Sequence, residues 1–140
     1  MTLILDTSGL LAAMSAGERR HEAALSVIVA AVPPLVLSPF VLAELDYMIT
    51  TREGIELSLS VLADVTAGAY EVAGFDADDV GAAAAVVEQY RDLGIGLADA
   101  SLVVLAERYD TRRILTLDER HFRALRASDG SAFVLLPADA

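Results

Sequence analysis

Short apolar runs alternate with longer amphipathic or alanine-rich stretches along this chain. Leu3-Ile4-Leu5 reads as a buried strand, Leu35-Val36-Leu37, Ile114-Leu115-Thr116-Leu117 and Phe133-Val134-Leu135-Leu136 as strands, with Ala69 to Ala73 as a further candidate. The stretches between them read as helices. Thr7 to Ala16 and Glu18 to Ala31 are two, the second with Ala24, Leu25, Ile28 and Val32 on one face. Ser38-Pro39 pairs an N-cap with a proline at the first helical position, opening a helix to about Arg52. Gly54 interrupts it, and Ile55 to Thr66 resumes the helical period. Asp76 caps an alanine-rich helix reaching about Leu93, where Gly94 and Gly96 break the chain. Leu97 to Tyr109 and Asp118 to Leu125 complete the set. Strands this short, separated by helices, predict an α/β fold with a central, mostly parallel sheet flanked by helices.

The length, 140 residues, predicts a single domain over 1–140. A chain of this size buries roughly 68–70% of its unfolded surface. The absence of cysteine excludes disulfides, thiolate zinc sites and thiol catalysis, and agrees with a cytoplasmic protein. Ala23 to Ala43 is uncharged and long enough to span a bilayer, but Pro33, Pro34 and Pro39 interrupt it. It is therefore read as helix, turn, strand and helix start, not as a membrane segment. The N-terminus lacks the basic region of a signal peptide, and Asp6 stands where its apolar core would be.

Net charge is −11. Alone, that charge opposes a nucleic-acid ligand, although a divalent cation would invert the local field of an acidic pocket. All ten basic residues are arginine, and Arg108, Arg112, Arg113, Arg120, Arg123 and Arg126 crowd one segment. Arginine suits bidentate phosphate contacts, which makes Arg112 and Arg113 candidates for binding RNA. Codon bias explains the arginine preference equally well.

Four acids stand out. Asp6 and Asp118 each follow a strand, and open α/β sheets bind ligands at the carboxyl ends of their strands. Either alone could be a simple helix cap. Glu44, spaced with Val41 and Met48, and Asp99, spaced with Leu102, Val103 and Ala106, are expected on apolar helix faces. Asp46 is expected to point away into solvent. A buried carboxylate needs an arginine, a proton or a metal. For one such acid an arginine is the ordinary answer; for four, a shared cation is the better one. Oxygen-only ligands select a hard ion such as Mg²⁺ or Mn²⁺. In-line attack of a metal-activated water on a phosphodiester is the chemistry such a site supports.

Four segments carry a resemblance: LILDTSGLLA at Leu3–Ala12, SPFVLAELDY at Ser38–Tyr47, GIGLADASLVVLAERY at Gly94–Tyr109 and ILTLDERHF at Ile114–Phe122. In order, spacing and context the chain resembles the PIN-domain ribonucleases of the VapC type, toxins of bacterial toxin–antitoxin pairs, and most closely an actinobacterial branch of them. The resemblance covers nearly the whole chain. It implies a three-layer PIN-like sandwich with an acidic cluster of Asp6, Glu44, Asp99 and Asp118. Asp6 and Asp99 would be the principal metal ligands, with Thr7 and Thr116 as supporting hydroxyls. It implies endonucleolytic cleavage of structured RNA, a ribosomal loop or transfer RNA. A homodimer and a VapB-type antitoxin, sending a basic side chain into the acid pocket, are implied as well.

Several residues are set aside. His121 is expected to be packed or on the surface, and His21 solvated. Asp78, Asp79, Asp92, Asp110 and Asp129 read as caps or surface acids. Rival functions are weaker. A receiver-like phosphoacceptor domain needs a lysine that this chain lacks, and an Asp-x-Asp phosphatase motif fails at Ser8. A PIN-fold nuclease of RNA processing and a non-catalytic acidic interaction protein stay open.

Overall fold

The computed structural model describes residues 2–140. Five strands form one sheet: β1 (Leu3–Leu5), β2 (Leu35–Leu37), β3 (Glu71–Val72), β4 (Arg113–Leu115) and β5 (Val134–Leu136), in the order β3-β2-β1-β4-β5. Every neighbouring pair is parallel, so the sheet is wholly rather than mostly parallel. Leu3, Ile4 and Leu5 are fully buried, as expected of a central strand covered on both faces. Ile4 stands opposite Val36 on one side and Ile114 on the other.

Among the described residues seven α-helices connect the strands: α1 (Thr7–Met14), α2 (His21–Ala30), α3 (Pro39–Glu53), α4 (Ile55–Thr66), α5 (Ala77–Gln89), α6 (Leu97–Arg108) and α7 (Glu119–Ala124). A 3-10 turn at Arg91–Leu93 ends the helical stretch after α5. The chain steps outward from β1 through β2 to β3, then returns past both to β4. Right-handed crossovers put the outward helices on one face and the returning ones on the other. α1 packs on α2 and α3, and α5 on α6.

The direction of travel reverses between β1 and β4, and such a reversal opens a crevice at the carboxyl ends of the strands. Two local features fix its walls. At the start of α3, Ser38 accepts the Phe40 N–H (3.2 Å) and its hydroxyl meets that of Ser101 on α6 at 2.8 Å. That buried contact ties the helix of Glu44 to the helix of Asp99. At the other wall, a Cβ on Gly9 would lie 2.6 Å from both the Cγ and the carbonyl oxygen of Leu115. Only glycine lets α1 approach β4 this closely.

Candidate active site

Asp6 closes β1 and is nearly covered, at 5% exposure. Its N–H donates to the Leu115 carbonyl at 2.9 Å, continuing the β1–β4 ladder by one step. Its side chain does not cap α1. Instead Oδ2 accepts the Thr116 hydroxyl at 2.6 Å and the Ser8 hydroxyl at 3.1 Å. Thr116 also accepts the Asp118 N–H (2.9 Å), and Ser8 accepts the Leu117 N–H (2.9 Å). Two hydroxyls thus bind the ends of β1 and β4 into one unit. Burial, the largest influence, pushes the Asp6 carboxyl up to about 6; the Thr116 hydrogen bond opposes it and the Asp99 charge adds to it.

Asp99 lies in the first turn of α6, and Asp118 is the N-cap of α7, accepting the His121 N–H at 3.0 Å. Nδ1 of His121 stands 3.0 Å from Oδ2 of Asp99 and 3.0 Å from Oδ2 of Asp118. Burial raises the Asp99 carboxyl above the ordinary range; His121 pulls it down, while Asp118 and Glu44 push it further up. Glu44 is therefore within electrostatic reach of Asp99, though it makes no hydrogen bond among the described residues.

Of the four acids predicted from sequence, Asp6, Glu44 and Asp118 are each close enough for their charges to couple to that of Asp99. Asp99, Asp118 and His121 bring one donor atom each within 4.8 Å of one another, a spacing that can hold a cation. Asp6 lies outside that trio but feels the charge of Asp99. Among the described residues no arginine pairs with any of the four acids. Arg52 and Arg108, the nearest along the chain, are engaged with Glu18 and Asp79. A buried carboxylate with hydroxyl donors but no cationic partner fits a hard cation.

Several expectations need correction. Glu44 is exposed: the buried stripe of α3 is Val41, Leu45 and Ile49, so Glu44 flanks it. Asp46 is half-buried and accepts the Ser58 hydroxyl of α4, rather than standing in solvent. His21 anchors α2 to α1 through Nδ1 and the Ala12 carbonyl (2.7 Å). His121 and Ser8 belong to the site. Of the supporting hydroxyls, Thr116 is central, whereas Oγ1 of Thr7 is buried without a partner. Arg112 is tied to Asp129 and Ser131 across a loop. Arg113, which opens β4 and forms no ion pair among the described residues, keeps its candidacy.

A wholly parallel sheet with acids free of arginine at its point of reversal is the arrangement of a PIN-like fold. Residues 3–127 match the PIN-domain family, and the chain belongs to that family. Its relatives are VapC proteins. It is 48% identical over 135 residues to ribonuclease VapC26 of Mycobacterium tuberculosis, covering 96% of this chain and all of that one. The fold matches the crystal structure of M. tuberculosis VapC20, a sarcin–ricin loop cleaving toxin, with TM-score 0.77 and 21% identity over 83% of this chain and 89% of that one. It also matches VapBC2 of Rickettsia felis bound to a promoter DNA fragment, with TM-score 0.64 and 21% identity over 89% and 93%.

Proposed function

We propose that this protein is a VapC-type toxin: a divalent-metal-dependent endoribonuclease that cuts structured RNA in the cytoplasm and is held in check by a VapB-type antitoxin. The observation that carries this reading is the buried Asp6 carboxylate, raised to about 6 beside Asp99 with no cationic partner. The relationship to ribonuclease VapC26 supports RNA as substrate, and the likeness to VapC20 favours a ribosomal loop over transfer RNA.

Asp6 and Asp99 would hold Mg²⁺ or Mn²⁺, with Glu44 and Asp118 completing the shell. The bound ion supplies charge for the phosphate oxygens and acidifies water at the site. Thr116 and Ser8 fix one oxygen of Asp6. His121 links Asp99 to Asp118 and keeps their like charges at a set separation. Acids and hydroxyls of this kind contribute position and field rather than covalent chemistry. A net charge of −11 suits a basic antitoxin segment. No helix among the described residues is long and apolar enough to cross a membrane. We assign a homodimer by the same family relationship.

The test is cleavage of total bacterial RNA by antitoxin-free protein with Mg²⁺, with Mn²⁺ and with chelator, beside Asp99→Asn. Discrete fragments requiring both metal and Asp99 are expected. A folded wild-type protein that cuts nothing with either metal would overturn the assignment.

A further inference from the structure

Five arginines form ion pairs: Arg52, Arg91, Arg108, Arg112 and Arg123. Among the described residues Arg19, Arg20, Arg113, Arg120 and Arg126 form none, in a chain with 21 acids. Three of these five gather in one place. A cleft of about 280 Å³ is lined by Arg19, Arg20, Thr116, Leu117 and Pro137. A second, of about 490 Å³, is lined by Arg20, Pro137 and Arg113 against α2. Sharing Arg20 and Pro137, the two adjoin and are taken together as one trough. It begins at Thr116, the residue that holds Asp6, and runs back beside β4 to Arg113. Three residues of strand make that path about 10 Å long.

The trough carries three arginines against one acid: Glu119 on its wall pairs at 3.0 Å with Arg123, which also binds Asp139 at 2.6 Å. Arg20 sits at φ +67, a left-handed conformation that costs a non-glycine residue free energy. The His21–Ala12 bond and the Ala24 N–H to Arg20 carbonyl bond (2.9 Å) hold it there. A glycine would relieve the strain but remove the cation.

We propose that this trough carries the phosphate backbone of the RNA to the carboxylate cluster, with Arg19, Arg20 and Arg113 as its phosphate contacts. The proposal rests on the ribonuclease reading for its ligand and deepens it by naming the approach. It retains Arg113 as an RNA contact and releases Arg112, whose charge is spent on Asp129. Unpaired guanidiniums suit phosphate because they present a planar fork of donors.

The experiment is fluorescence anisotropy of a labelled single-stranded RNA 12-mer in chelator across a salt series. Wild type is compared with Arg20→Gln, Arg113→Gln, the double variant, Arg113→Lys and Arg91→Gln, and cleavage with Mg²⁺ is measured in parallel. Each neutralised trough arginine is expected to lower the log–log salt slope by ~0.7. Arg113→Lys restores most of the slope, and Arg91→Gln, from an ion pair outside the trough, leaves it unchanged. Unchanged slopes in the trough variants of a wild type that binds and cuts RNA overturn the trough and leave the nuclease reading standing. Arginine-dependent slopes without metal-dependent cleavage do the reverse. A wild type that binds no RNA overturns the trough. So does an arginine dependence seen only for polyglutamate, which would make the groove a seat for an acidic protein segment.

Discussion

Asp6→Asn tests the electrostatics of the site without any substrate. The carboxyl has an ordinary value of 3.8 and is raised to about 6 in the folded chain. Between those two values the folded protein keeps a proton that the unfolded chain has released. Without a cation, stability therefore falls as pH rises through this window, and the whole penalty is present above about 6. Going from 3.8 to about 6 corresponds to ~3 kcal/mol at about 1.4 kcal/mol per pH unit. Asparagine has the same shape, and its Oδ1 can still accept Thr116 and Ser8. The variant should therefore gain up to ~3 kcal/mol at pH 7.5 in chelator, a melting point higher by roughly 6–12 °C. At pH 4 the two proteins should melt nearly together. Added Mg²⁺ should narrow the gap by stabilising the wild type through binding. Differential scanning calorimetry at both pH values, with chelator and with Mg²⁺, reads all four conditions. A variant no more stable than wild type at pH 7.5, or equally favoured at pH 4, would show that burial does not dominate at Asp6.

Other expectations follow from neighbouring contacts. Gly9→Ala forces a Cβ within 2.6 Å of Leu115; overpacking of this kind costs ~1–3 kcal/mol or more, and an unchanged urea midpoint would refute the close approach. Ser8→Ala strips the Leu117 N–H of its acceptor at 2.9 Å. It should destabilise by ~1–3 kcal/mol and lower cleavage, both read on one protein sample; full activity would remove Ser8 from the site. His121→Ala removes the ring that joins Asp99 to Asp118 and should weaken Mn²⁺ binding by ~10–100-fold, the range for groups that orient metal ligands. Calorimetric titration giving the wild-type affinity would make His121 a bystander.

Strand positions were legible because a sheet buried on both faces requires unbroken apolar runs, and Leu3–Leu5 and Leu35–Leu37 are such runs. Ser38 and Gly54 announced the ends of α3 through local chemistry that needs no tertiary contact. The acids could be found one by one, but their surroundings could not. Glu44 and Met48 share a period with Val41, so spacing alone did not tell the buried stripe from its flank. His121 carried a signal, since three residues after an N-cap aspartate brings its ring back to that carboxylate. What the sequence lacked was Asp99, 22 residues away, on the ring's other side. Arg112 misled for the same reason: its partner Asp129 lies 17 residues on, across a loop.

The sheet order has a consequence for synthesis. β1 is made first, yet one of its edges waits for β4, more than a hundred residues later. Until then Asp6 has no Thr116 to hold it, and neither Asp118 nor His121 exists. A nascent chain emerging N-terminus first thus lacks the assembled carboxylate cluster for most of its translation. The same delay leaves an apolar strand edge unpaired during that interval, open to association with other chains. The topology that delays assembly of the carboxylate cluster also leaves the growing polypeptide exposed to aggregation until residue 115 is in place.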